Sequence, residues 1–216
     1  MLKDKNTFKK AFQERFKILY GTPVDEGTNL EKYKALASLV SNQISEHWYQ
    51  TNKHYKHTKQ VKEVYYFSIE FLLGRLLSNN LLNLGIYDIV EEGLSELGIN
   101  LQDLAEQEAD AGLGSGGLGR LAADFLDSMA SLNLPGHGCG IRYRYGLFEQ
   151  KLKQGEQVEC ADDWLKNGFV WEYRRPDKAV EVRFGGKVRA NCVEGRTVFI
   201  HEEYETALAI PYDVPI

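Results

Sequence analysis

The chain has 216 residues, 43% apolar, 12% aromatic and 26% charged, with a formal net charge of −5. That apolar share can fill a core, which excludes an intrinsically disordered chain, and the acidic balance argues against nucleic acid as a partner. No apolar run approaches the roughly 18 residues of a membrane span, and the polar start MLKDKNTFKKAFQERF lacks the apolar stretch of a secretory signal, so the expectation is a soluble, cytoplasmic protein with no membrane partner.

Phe8, Phe12, Phe16 and Leu19 recur at helical spacing and stop before Gly21-Thr22-Pro23. Thr28 and Glu31 form a capping-box pattern, predicting a long amphipathic helix with Tyr33, Leu36, Ala37, Val40, Ile44 and Trp48 on its buried face. Val64–Ile69 is β-branched, aromatic and nearly continuous, which predicts a strand buried on both faces. Leu72, Leu73, Leu76, Leu77, Leu81 and Leu84 return to helical spacing, and further helices are expected over 86–97 and 101–108. Gly112-Leu-Gly-Ser-Gly-Gly-Leu-Gly119 carries five glycines, and Leu121, Ala122, Phe125, Leu126, Met129 and Leu132 continue it as a helix. From Ile141 onward the chain reads as mostly strand, with a hairpin turning at Gly185-Gly186 and strands over 196–201 and 206–210. Helices first, then mixed elements, then strands: the fold class is α/β.

Charge is unevenly spread. Residues 1–62 hold 12 basic and 6 acidic side chains, whereas residues 63–112 hold Arg75 against 10 acidic ones. Such blocks make solvated faces, or the basic part docks on the acidic part or on a second copy. Cys139, Cys160 and Cys192 are too far apart for a zinc pattern or a disulfide framework. His54 and His57 share a helix face among lysines, an arrangement that does not suit a metal.

The glycine run is the strongest chemical signal. Glycines let backbone N–H groups approach a ligand without a Cβ between, and the helix start beyond adds unpaired donors, a site for a phosphate or other anion. The competing reading is a tight loop packed against a neighbouring element. Gly114, Gly116 and Gly119 match GxGxxG, yet Gln107–Ala111 is not a buried strand and no acidic residue stands about 20 positions on, so the dinucleotide reading fails. Arg120-Leu121 stands where a Walker loop needs Lys-Ser/Thr. Glu70 ends an apolar run, where a carboxylate is costly unless paired or functional. It faces a ligand crevice, or it caps a helix or pairs with Arg75. Arg120, opposing a helix dipole, calls for a carboxylate or an anion.

Val64-Tyr-Tyr-Phe-Ser-Ile-Glu-Phe-Leu-Leu-Gly-Arg75, the Asn79–Gly85 stretch, Asp110–Ala130, Gly140–Phe148 and Asp162-Asp-Trp164 together resemble the glycogen/maltodextrin (α-1,4-glucan) phosphorylase family, bacterial type. The likeness runs in register from about residue 10 to residue 216 and implies the N-terminal portion of such an enzyme. It divides the chain into a helical segment, 1–62, and the first part of the N-terminal α/β domain, 63–216. The resemblance implies the two-domain GT-B glycosyltransferase architecture and release of glucose 1-phosphate from the glucan by inorganic phosphate. It also implies a homodimer, and pyridoxal phosphate held by a lysine of a C-terminal domain beyond these residues. By position, Gly116 and Gly117 look like the glycines approaching the substrate phosphate, with Gly117 also near the cofactor phosphate. Gly119 is grouped with them, Leu118 looks like the residue touching the glucosyl unit, and Glu70 like the glutamate bordering that pocket.

Two departures matter. Ser115 stands where members have Asn, and Leu72 where animal members have Tyr. Asn52, Lys53 and Lys56 replace the residues of AMP-regulated members, so no AMP activation is expected. Since the cofactor lysine and the second half of the crevice are absent, these 216 residues alone are expected to bind no cofactor and to be inactive. The alternative is a truncated, non-catalytic sugar-binding or dimerisation module. A glycogen-synthase-type transferase would carry Lys-x-Gly-Gly-Leu near its start, and none is present.

Overall fold

The computed structural model describes residue 2, residues 4–57 and residues 61–216, with the backbone alone of Lys56 and His57. The reading of Lys56, and the His57 half of the His54–His57 face, therefore fall on side chains outside the described residues. The chain divides into two compact units, Met1–Trp171 with Pro215–Ile216, and Glu172–Val214.

The larger unit runs α1 (Lys5–Tyr20), α2 (Asn29–His57), β1 (Val64–Phe67), α3 (Leu77–Asn83), α4 (Tyr87–Ser95), α5 (Leu101–Ala105), α6 (Gly117–Ser131), β2 (Gly136–Cys139), β3 (Glu149–Lys153) and β4 (Glu156–Cys160). Asp4 caps α1 by accepting from the Asn6 and Thr7 amides, and Gly21 in the left-handed region ends it. Phe8, Phe12 and Phe16 are fully buried, while Leu19 on the outer side of the last turn is exposed. The capping box forms in both directions: the Thr28 amide donates to Glu31 Oε2 at 2.8 Å and the Glu31 amide to Thr28 Oγ1 at 3.3 Å. Tyr33, Leu36, Ala37 and Val40 are buried; Ile44 and Trp48 are only half-buried.

Of the charge-block readings, docking of basic on acidic is realised between α1 and α4. Lys5 reaches Glu96 at 2.7 Å and Glu92 at 3.7 Å, and Lys9 also pairs with Glu96. The bonds from Lys5 and then Lys9 hold the Glu96 carboxyl down to about 2.

Two expectations give way here. Val64–Phe67 of the expected Val64–Ile69 run forms a strand, but not one buried on both faces: Phe67 is 78% exposed, and Val64, Tyr65 and, beyond the strand, Ile69 are exposed. Among the described residues β1 has one neighbour, β2, paired in parallel from Val64↔Gly136 to Phe67↔Cys139. The helix expected from Leu72 begins only at Leu77. Ahead of it the Phe71 and Leu72 amides donate to Leu113 and Gly119 carbonyls, and Gly74 takes a left-handed φ of 74°. Tertiary hydrogen bonds to the glycine loop overrule helical spacing there. Gly136 and Gly138 of β2 admit Met129 and Leu126 of α6 so closely that a Cβ would lie 2.7 and 2.8 Å from them. That packing seats the last turns of α6 on β2, while the Leu72 amide on the Gly119 carbonyl ties the first turn to the segment after β1.

The smaller unit contains β5 (Tyr173–Arg174), β6 (Val180–Phe184), β7 (Lys187–Val193), β8 (Arg196–Glu202), β9 (Glu205–Ala209) and β10 (Tyr212–Asp213). The expected hairpin at Gly185-Gly186 is not formed. β6 pairs with β9 and β7 with β8, in one continuous antiparallel register. The hairpin tip lies at Glu194-Gly195, both left-handed at 49° and 75°, the backbone a two-residue turn requires. Gly185-Gly186 marks a break in this ribbon opposite Glu203-Tyr204. Its glycines serve positive φ values of 64° and 74°, and a Cβ on Gly186 would lie 3.0 Å from the Tyr204 nitrogen.

Candidate functional site

The segment after β1 and the loop before α6 are laced together at the carboxyl ends of the two parallel strands, where open α/β sheets bind ligands. The Ser68 amide donates to the Cys139 carbonyl at 3.0 Å, and the Tyr143 hydroxyl to the Ile69 carbonyl at 3.0 Å. Next along, the Phe71 amide takes the Leu113 carbonyl at 2.9 Å and the Leu72 amide the Gly119 carbonyl at 3.0 Å. Between them the Glu70 carboxylate accepts from Ser115 twice: from the amide at 3.2 Å on Oε2 and from the hydroxyl at 3.1 Å on Oε1. Glu70 thus caps no helix and does not pair with Arg75, whose Nε donates to the Glu108 carbonyl. The loop entrance is tied separately: Asp162 Oδ2 accepts from the Gly112 amide at 3.3 Å, and the Gly112 carbonyl from the Leu147 amide at 2.8 Å.

The glycines divide into two kinds. A Cβ on Gly114 would lie 2.9 Å from Leu72 Cγ and 3.2 Å from Glu70 Cβ, and one on Gly119 would lie 3.1 Å from Glu70 Cβ. These two are packing glycines, and Gly119 is buried. Gly116 and Gly117 have nothing within 4 Å of a Cβ position, are exposed, and neither takes a left-handed φ. Nothing in the described fold requires glycine there. The packed-loop reading holds at Gly114 and Gly119; at Gly116 and Gly117 the loop packs against nothing.

The first backbone bond of α6 is from the Arg120 amide to the Gly116 carbonyl at 3.1 Å, so the N–H groups of Gly117, Leu118 and Gly119 have no intrahelical acceptor. Gly116 as N-cap offers no side-chain acceptor either. Leu118 stands 75% exposed beside these donors. Arg120 finds its carboxylate in Asp124 at 2.9 Å and also reaches the Leu72 carbonyl at 3.4 Å. The site is therefore a row of amide donors at the positive end of a helix, open and without side chains at Gly116 and Gly117, on a loop clasped by Glu70. Chemically it suits anionic oxygen. A pocket of about 290 Å³ opens nearby between Leu73, Arg75, Asn79, Arg120 and Asp127, but neither Glu70 nor Gly116 lines it. Among the described residues no cluster of His, Cys, Asp or Glu is placed to hold a metal ion.

Sequence reasoning missed Glu108. It is 2% exposed, and its carboxylate accepts from the Leu76 amide (2.7 Å), the Leu77 amide (2.9 Å) and Trp171 Nε1 (2.8 Å). Burial pushes its carboxyl up, against the pull of these bonds; Tyr33, buried beside it, is pushed up by burial and then by the charge of Glu108. The residue fixes the start of α3 behind the site. Its only trace in the sequence is an acidic side chain ending a helical stretch.

This arrangement, a glycine loop opening a helix beside parallel strands, belongs to a known class. The carbohydrate phosphorylase family matches residues 94–216, more than half of the chain, and the chain belongs to that family. It is 51% identical to a glycogen phosphorylase of Bacillus subtilis over all 216 residues, 27% of that protein. It is 45% identical to a Chlamydia trachomatis glycogen phosphorylase over 97% of this chain and 26% of the relative. With the human liver form the figures are 43%, 96% and 24%. The chain spans about a quarter of the length of the curated relatives it matches, and corresponds to the N-terminal portion of a glycogen phosphorylase. Among the described residues no helix is long and apolar enough to cross a membrane.

Proposed function

We propose that these residues supply one wall of the active site of an α-1,4-glucan phosphorylase, an enzyme releasing glucose 1-phosphate from glycogen or maltodextrin with inorganic phosphate. In this reading residues 1–62 are the N-terminal helical segment and 63–216 the first part of a GT-B α/β domain, working as a cytoplasmic homodimer. The Gly116 and Gly117 backbone approaches the phosphates, with the free N–H groups of Gly117, Leu118 and Gly119 supplying donors without bulk. Donors fixed in advance of the reaction stabilise charge as it develops, because nothing has to reorganise. Leu118 lays an apolar side chain against the glucosyl ring, and Glu70 borders the pocket while holding the loop.

The residues present fit a phosphate-bearing group: amide donors at a helix start, with open space at the Cβ positions of Gly116 and Gly117. Pyridoxal phosphate, when bound, supplies through its 5′-phosphate a proton partner for the substrate phosphate. Gly117 would hold that phosphate by its backbone.

The observation that carries this reading is the pair Gly116-Gly117, which the fold leaves unpacked and unstrained. The test is to supply the full-length enzyme carrying this sequence with maltodextrin and inorganic phosphate and to follow glucose 1-phosphate. Product in proportion to enzyme supports the proposal; none, with pyridoxal phosphate bound, rejects it.

A further inference from the structure

We infer that the Glu70–Ser115 pair is the positioning unit of the loop, with Glu70 acting on the reacting phosphate through Ser115 rather than by touching it. This rests on the phosphate-binding reading of Gly116 and Gly117.

Both carboxylate oxygens of Glu70 are engaged by Ser115, one by the amide and one by the hydroxyl. Glu70 is itself held from its own backbone. Its amide donates to Ser68 Oγ at 3.2 Å, and the two residues after it bond the loop at Leu113 and Gly119. Its side chain lies between Gly114 and Gly119, with Oε2 only 3.2 Å from the Cβ position of each. The loop is therefore tied to the segment after β1 at residues 113, 115 and 119. Between the last two, Gly116-Gly117-Leu118 makes no bond to that segment and is held only by the first turn of α6, through the Arg120 amide on the Gly116 carbonyl. Of the three anchors, the ones at 113 and 119 are backbone bonds that any sequence could make. Only the one at 115 depends on side chains. It is also the one adjoining Gly116. Glycines have the largest backbone freedom to lose, so a helix start made of two glycines frays readily, and without the Ser115 anchor beside it the directions of its amides would be less well fixed. A donor displaced by about 1 Å can cost on the order of 10²-fold in rate.

The test uses the full-length enzyme with its cofactor bound and compares Glu70→Ala, Glu70→Gln, Ser115→Ala and the double variant Ser115→Ala with Glu70→Ala. Glu70→Ala is expected to lower kcat about 10²-fold. Glu70→Gln keeps an oxygen acceptor for the Ser115 amide and a donor toward its hydroxyl, and should recover at least about a tenth of the parent rate. The double variant should be no worse than Glu70→Ala alone, since paired groups act non-additively. Hydrogen exchange of the peptide spanning 113–119 should rise in Glu70→Ala and return toward the parent in Glu70→Gln. Additive losses, or Gln as poor as Ala, would mean that Glu70 meets the substrate through its charge and would overturn the inference. Unchanged exchange would overturn it as well. A Gly117→Val control separates the two levels: a normal rate there rejects the phosphate reading itself, whereas a collapsed rate with additive Glu70 and Ser115 effects rejects only the positioning role.

Discussion

Replacing Glu108 with Ala should be the most destabilising single change behind the site. The side chain is 2% exposed and satisfies three donors, the Leu76 and Leu77 amides and Trp171 Nε1. Each buried donor left without an acceptor costs about 1–3 kcal/mol. Water entering the vacated space recovers part of this, leaving an expected loss of about 3–5 kcal/mol. Glu108→Gln, which keeps the volume but turns one acceptor into a donor facing an N–H, should lose about 1–2 kcal/mol. Urea unfolding followed by tryptophan fluorescence reads both, since Trp171 is one of the three donors. The pH dependence has a definite sign. Burial raises the folded carboxyl above its unfolded value, so its contribution is full below the unfolded pKa and is lost as pH rises through the folded one. The parent should therefore lose stability relative to Glu108→Gln as pH rises through that window. A loss below about 1 kcal/mol for Glu108→Ala would refute the view that this carboxylate organises the start of α3.

Gly114→Val should cost about 1–3 kcal/mol by overlap with Leu72 and Glu70, whereas Gly116→Ala should stay within about 0.5 kcal/mol of the parent; equal melting temperatures would contradict the division of the glycines. Glu96, held down to about 2 by Lys5 and Lys9, contributes stability at neutral pH that is lost as pH falls from the ordinary carboxylate range toward that value. Glu96→Gln should flatten the acid limb of the unfolding midpoint plotted against pH, and an unchanged slope would count against the docking of α1 on α4.

Local signals that act within a few residues were legible in the sequence. The Phe8, Phe12 and Phe16 stripe, the Thr28–Glu31 box and the helix after the glycine loop all depend on spacing along one segment. Elements decided by distant partners were not. Leu72 carries a helical pattern, but its amide bonds Gly119, far along the chain. Gly185-Gly186 has the composition of a turn, yet β6 finds its partner in β9, and only the long-range register distinguishes a ribbon break from a hairpin tip. The apolar run of β1 encodes burial that the described residues do not supply. At the site, the resemblance grouped Glu70 with the glycines, and the structure sets its carboxylate against Ser115 of that loop. Sequence reasoning could not separate Gly114 and Gly119, which pack, from Gly116 and Gly117, which stay open, because that depends on where Glu70 and Leu72 lie.

The central claim is that the open glycines serve a phosphate rather than the fold. Gly117→Val in the full-length enzyme tests it most directly, with phosphorolysis rate and melting temperature measured on one preparation. Valine meets nothing within 4 Å of its Cβ and no left-handed φ is required of it, so stability should change by no more than about 1 kcal/mol. A branched side chain beside the donors should lower turnover by on the order of 10²–10³-fold, the cost of losing one well-placed transition-state donor. A normal rate in an enzyme whose melting temperature has collapsed would contradict the account.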